Sequence, residues 1–169
     1  PRLQPWQGDQ NHSFLGFDEP TYIEPTDWLE KNHDKPFFLW YQFLMPHLPY
    51  NSTPEYMKKF VKDTMYKNKA SRERLQKTVL STYLIIKGNV EFKPEDKEVI
   101  DAAYDAEINY MDDEIRKLIE VLDKYNLRDN TIIVIGADHG EELLDHKFVG
   151  HASTSHCGQI YNEIINTPF

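Results

Sequence analysis

An aspartate and a histidine stand side by side at the end of an apolar run, in the stretch TIIVIGADHG, residues 131 to 140. Asp138 offers a carboxylate oxygen and His139 an imidazole nitrogen, a hard-to-borderline donor pair that suits Ca²⁺, Mn²⁺, Mg²⁺ or Zn²⁺. Gly140 is expected to let the backbone turn sharply after them. Two ligands do not make a tight site, so other donors must converge from elsewhere. The chain supplies candidates in His47, set between prolines in MPHLP, and in His146 and His151 downstream. Each also has a plain structural reading. Asp138 and His139 could be a helix cap with a satisfied histidine, His47 a core or turn residue, and His146 and His151 ordinary loop residues.

Convergence has to come from the elements that carry these residues. PFFLWYQF, residues 36 to 43, is a continuous apolar run, as in a strand covered on both faces. TIIVIGA reads as a second such strand. LMPHLPYNSTP holds three prolines and continues neither strand nor helix, so it is a loop at the first strand's end. PTDWLEKNHDK reads as one or two helical turns capped by Thr26 or Asp27, after an irregular lead-in over residues 1 to 26. LIIKGNVEFK stays open between a loop and a short strand.

Pro94 to Tyr125 is the clearest helix, with Pro94 at its first position and Ile108, Met111, Ile115, Leu118 and Leu122 along one face. Asp112–Arg116, Asp113–Lys117 and Glu120–Lys124 are spaced as i,i+4 pairs, which makes the Asp112–Asp113 doublet a surface ion-pair feature rather than a metal site. Residues 55 to 80 read as helix with Lys58, Lys59, Lys62, Lys67, Lys69, Arg72, Arg74 and Lys77 against Glu55, Asp63 and Glu73. That is a solvated face, or a rim that attracts an anionic substrate.

The order strand, helical segment, long helix, strand predicts an α/β layer with parallel strands. Ligands of such sheets sit beyond the carboxyl ends of the strands, which would bring His47 to the edge that carries Asp138 and His139. The sheet reads as incomplete, with a third strand starting at NTPF. The expectation is one domain over residues 1–169 that is an internal piece of a larger one.

Bulk composition narrows the function classes. A chain of 169 residues, 40% hydrophobic and 13% aromatic, can bury a real core. A net charge of −9 argues against general nucleic-acid affinity. The single Cys157 rules out an internal disulfide and a cysteine-based zinc site. No apolar run approaches the roughly 20 residues of a membrane span. PRLQPWQGDQ lacks the apolar core of a signal peptide. Asn11-His12-Ser13 and Asn51-Ser52-Thr53 fit the glycosylation triplet, a pattern common by chance.

PFFLWYQFLMPHLPY, then YDAEINYMDDEIRKLIEVLDKYNLRDNTIIVIGADHGEELLDHKFVGH, then YNEIINTPF closely resemble the sulfatase family of the alkaline-phosphatase superfamily. The resemblance covers about residues 35 to 50 and 100 to 169. It implies an alkaline-phosphatase-like sandwich, with a mostly parallel sheet flanked by helices, and a metal-dependent sulfuric ester hydrolase. Asp138 and His139 match the family's metal-ligand pair. Many sulfatases carry Asp-Asn there and bind Ca²⁺, whereas the Asp-His form also occurs in relatives that cleave phosphate or phosphonate esters, often with Mn²⁺ or Zn²⁺. His47 matches the histidine that contacts the sulfate and the leaving oxygen. His151 matches a lysine or histidine that contacts the sulfate, and His156 rivals it because the loop before Tyr161 is long. Glu141, Glu142 and His146 match family loop positions to which no chemistry is assigned.

The family's nucleophile is a hydrated formylglycine made within Cys/Ser-x-Pro-x-Arg, and this sequence holds no such motif. Cys157 lies in HCGQI, and Ser52 in STPEY has Tyr56 where the arginine belongs. The family's early Asp-Asp metal pair is also missing. The resemblance therefore implies a fragment, inactive alone, of a parent whose substrate is a sulfate-ester small molecule or sulfated carbohydrate. Two alternatives stay open: a phosphodiesterase, phosphonate hydrolase or phosphoglycerol transferase on the same fold, and a non-catalytic relative that holds an anionic glycan. The family is often exported, which is compatible with a periplasmic, extracellular or lysosomal parent. The sequence itself fixes neither compartment nor oligomeric state.

Overall fold

The computed structural model describes residues 23–62, 68–70, 73, 90–151 and 160–168. Its elements are helices α1 (Pro25–Asn32) and α2 (Pro54–Phe60), the long helix α3 (Lys97–Lys124), the short strands β1 (Glu142–Leu143) and β2 (Val149–Gly150), and a final turn α4 (Asn162–Ile165). Two 3₁₀ turns, Pro94–Asp96 and Arg128–Asn130, flank α3. The chain divides into two compact units, Pro1–Gln42 with Asp112–Ile132, and Phe43–Met111 with Ile133–Phe169.

In the first unit, α1 starts two to three residues earlier than a cap at Thr26 or Asp27 implies. Pro25 takes the first helical position and Glu24 the cap position, with no side-chain cap bond, so neither Thr26 nor Asp27 caps it. A proline with its φ already set starts the helix without that bond. Trp28 meets Phe37 edge-on at 5.9 Å, and His33 stacks on Tyr125 at 3.6 Å. The carboxyl end of α3 closes as a Schellman turn: Asn126 takes a left-handed φ of 54°, its N–H reaches Asp123 O, and Leu127 N–H reaches Leu122 O. Arg116 pairs with Asp113 and Glu120 rather than with Asp112, and Lys124 pairs with Glu30 rather than with Glu120. Of the doublet, Asp113 takes the ion pair and Asp112 is exposed.

The second unit holds the larger core. Leu48, Tyr50, Ile100, Ala103 and Val149 are buried together, with Phe92, Tyr104 and Leu143 packed against them. Val61, Val99 and Ala102 form a smaller cluster with Met57 and Phe60. Most of the deeply buried residues of α3 lie in its first half; of the face read as apolar, Leu122 is buried at 5% while Ile108 is 39% exposed. The 3₁₀ turn that leads into α3 is capped where Lys93 N–H donates to Asp96, and Pro94, expected as the first position of the long helix, opens that turn instead. Of the basic stretch, residues 54–60 are helical and Val61 turns extended, with Lys62 meeting Glu98 in an exposed pair. Lys67, Arg72, Arg74 and Lys77 lie outside the described residues.

The sheet differs from expectation. Among the described residues it has two strands, paired antiparallel with Glu142 opposite Gly150 and Leu143 opposite Val149. Neither residues 36–43 nor residues 131–137 form a ladder, and Phe38, Trp40, Ile132 and Val134 are 70–93% exposed. A run of apolar residues encodes burial, whereas a strand exists only where a neighbour supplies the opposite row of N–H and C=O groups. One such contact is present, from Ala137 N–H to Pro168 O, where the third strand was expected to start.

Candidate functional site

The site is built around the loop that follows Ala137. Its path is fixed by α4: Gly140 N–H donates to Ile164 O at 2.6 Å and Glu141 N–H to Glu163 O at 3.0 Å. Gly140 is glycine for closeness rather than for a sharp turn. It has no positive φ, but a Cβ there would lie 1.9 Å from the Glu163 carbonyl oxygen. From that seat the chain runs into the β1–β2 hairpin, whose tip places Leu144 and Lys147 at positive φ and returns at Gly150 to His151. His47 arrives from the 44–53 loop, held by the buried Leu48 and Tyr50.

Three of the anticipated histidines come together. The His139 and His151 rings lie 3.8 Å apart at 40°, and His47 meets His151 edge-on at 4.8 Å. Each spends Nδ1 on a neighbour: His47 on Leu48 O, His139 on Gly140 O at 2.8 Å and His151 on Glu141 Oε1 at 3.0 Å. A carbonyl oxygen only accepts, so Nδ1 of His47 and His139 carries the hydrogen. Their Nε2 atoms remain available for a ligand or a proton.

Asp138 is the exposed member, with 71% of its side chain open. Its Oδ1 accepts the His139 N–H and lies 3.7 Å from His139 Nε2. An open carboxylate beside the free nitrogen of an imidazole, whose other nitrogen is tied to a carbonyl, is a chemically apt donor pair for a divalent ion. Behind it, Glu141 is buried, with 5% of its side chain exposed. Its hydrogen bond raises the affinity of His151 for a proton, against the opposing effect of burial, and the charges of Glu141 and Asp138 add to the rise. His151 therefore takes up a proton more readily than an ordinary histidine, which suits an anionic ligand. His156 lies outside the described residues.

A second set of donors was not anticipated. Glu142, His146 and Glu163 place one ligand atom each within 4.8 Å of one another. His146 Nδ1 is 2.7 Å from Glu142 Oε1 and 3.9 Å from Glu163 Oε2, and its ring stacks on Tyr161 at 3.7 Å. The four-residue gap between Glu142 and His146 is visible in sequence, but Glu163 joins them only through the 140–164 and 141–163 backbone bonds.

Comparisons with known proteins identify the family. A family model described as Sulfatase matches residues 4–169, farther than the blocks that carry the resemblance. An arylsulfatase of Clostridium perfringens is 24% identical over 161 residues, covering 86% of this chain and 30% of that protein. An ulvan-active sulfatase of Formosa agariphila is 29% identical over 128 residues, covering 75% of this chain and 20% of that protein. The chain thus spans less than a third of the length of either relative. No solved structure matches.

Proposed function

The chain belongs to the sulfatase family, and on that premise we propose that it provides the metal-holding and anion-contacting part of a sulfuric ester hydrolase. The family implies an alkaline-phosphatase-like α/β fold. The finer reading, a sandwich with a mostly parallel sheet and residues 1–169 as part of one catalytic domain, belongs to this proposal. The observation that carries it is the meeting of His47, His139 and His151, with the exposed Asp138 carboxylate at their edge.

In this reading Asp138 and His139 Nε2 hold a divalent ion, Ca²⁺ in the first instance and Mn²⁺, Mg²⁺ or Zn²⁺ as alternatives. The bound ion supplies Lewis-acid stabilisation of charge on the sulfate oxygens. His151, whose proton affinity Glu141 raises, holds a non-bridging oxygen of the sulfate as its imidazolium. His47 gives a proton to the departing alkoxide from Nε2 when the ring is in its imidazolium form, and is left as the neutral ring with its hydrogen on Nδ1. His156 remains a rival for the role of His151. The formylglycine nucleophile comes from a segment with the Cys/Ser-x-Pro-x-Arg motif, which this sequence does not hold, so the chain alone is inactive. The substrate is a sulfate-ester small molecule or a sulfated carbohydrate.

A phosphate- or phosphonate-ester hydrolase is the second reading, favoured by His139 standing where many sulfatases have asparagine. The two are separated by assaying the parent protein on aryl sulfate and aryl phosphate, with and without a chelator. The proposal expects sulfate hydrolysis to dominate and Asp138→Ala, His47→Ala and His151→Ala each to lower kcat/KM by about a hundredfold or more. Dominant phosphate hydrolysis selects the second reading. Full activity in the three variants overturns both.

A further inference from the structure

An acid sits where the apolar stripe of α3 calls for an apolar side chain. Ile100, Ala103, Tyr104 and Glu107 follow the i, i+3, i+4, i+7 spacing of one helix face. Ile100 and Ala103 are fully buried, and Tyr104 packs edge-on against the buried Tyr50 at 5.5 Å. Glu107 continues that face and is 4% exposed. Hydrogen bonding from the Asn51 and Ser52 backbone amides acts on its carboxyl, with no basic group among the groups that do. Two hydroxyl oxygens of the same segment, Tyr50 Oη and Ser52 Oγ, are buried without a hydrogen-bond partner.

A buried carboxyl without a counter-cation is costly, and it persists where it satisfies backbone groups that would otherwise be orphaned. Those groups belong to the loop that carries His47. Leu48 and Tyr50 fasten the loop's apolar side to Ile100 and Ala103. Nothing apolar can fasten its N–H groups.

We propose that Glu107 is a positioning residue: its buried carboxyl anchors the Asn51–Ser52 backbone to α3 and so holds His47 against His151. Glu107 touches neither the histidines nor a bound anion. It acts through the four residues between His47 and Ser52. Loss of the anchor leaves the apolar contacts of Leu48 and Tyr50 in place but frees the loop to drift along them. A misplacement of a contacting group by about 1 Å is enough to cost about a hundredfold in rate. The inference rests on the role proposed for His47, and its test separates the two.

The experiment uses the whole chain and its Glu107→Leu and Glu107→Gln variants. Amide hydrogen exchange is read at Asn51 and Ser52, and the His47 ring resonance is followed as inorganic sulfate is added, with His33 as the internal control. In Glu107→Leu, both amides are expected to exchange about tenfold faster or more, and the His47 response to sulfate to weaken. Glu107→Gln keeps the volume and one acceptor oxygen, so it folds where the leucine variant fails. It is expected to loosen the amides less, with a partial His47 response. Unchanged exchange at both amides in either folded variant overturns the anchor, as does an unchanged His47 response where the amides are released. A fall in Tm with neither local readout moved assigns Glu107 a packing role only and overturns the proposal. If His47 ignores sulfate in the unaltered chain while the amides are still released by the variants, the anchor is supported and the anion-contact reading of His47 fails.

Discussion

Glu107 also gives the molecule a pH dependence that can be worked out in advance. Burial is the main cause of its shift, and only the bonds to Asn51 and Ser52 oppose it, so the carboxyl is raised from 4.5 to about 7. At 1.36 kcal/mol per unit, the shift corresponds to roughly 3 kcal/mol. Its folded-state value lies above its unfolded one, so between these values the folded chain binds more protons than the unfolded chain. Stability from this group therefore falls as pH rises through about 4.5 to 7 and is flat above that window. Glu107→Gln cannot titrate. Urea denaturation of the unaltered chain and of Glu107→Gln at several pH values between 4.5 and 8 isolates the effect, because contributions from other groups cancel in the difference. The stability of the unaltered chain relative to the variant is expected to drop by roughly 3 kcal/mol across the window. A difference that stays level within about 0.5 kcal/mol would refute the reasoning.

Other expectations follow from the same geometry. His151, raised by its bond to Glu141, should titrate above 6.5 by histidine NMR, and Glu141→Gln should lower the midpoint. Its stability contribution is present in full below 6.5 and is lost as pH rises through the folded value. Gly140→Ala drives a Cβ into the Glu163 carbonyl, and because that contact is backbone on backbone it should cost about 3 kcal/mol or more in urea denaturation. A cost below about 0.5 kcal/mol would show that α4 moves aside freely.

Much of the site was legible because its chemistry is local. Asp138 and His139 are adjacent, and the prolines around His47 mark a loop, so both could be named from residue type and context. The long α3 helix declared itself through Pro94 and its periodicity. What the sequence did not yield depends on long-range backbone pairing. The runs at 36–43 and 131–137 have the composition of buried strands, yet a ladder needs a neighbouring strand, which composition does not specify. The Glu142–His146–Glu163 set was hidden for a related reason, since Glu163 reaches it through backbone bonds from α4. Glu107 had a readable signal, an acid in register with Ile100, Ala103 and Tyr104. The sequence-based apolar face, Ile108 to Leu122, includes the buried Leu122 but starts one residue past Glu107. Gly140 was singled out correctly but for turning, when what it permits is the approach of Glu163.

The central claim is that Asp138 and His139 hold a divalent ion beside His151 and His47. The most direct test is paramagnetic broadening of the histidine ring resonances by Mn²⁺, read on the unaltered chain and on Asp138→Asn. The account predicts that His139 broadens first, that His151 and His47 follow, that His33 stays sharp, and that the substitution removes the effect. Broadening that instead centres on His146 and survives Asp138→Asn would place the ion with Glu142 and Glu163 and contradict the claim.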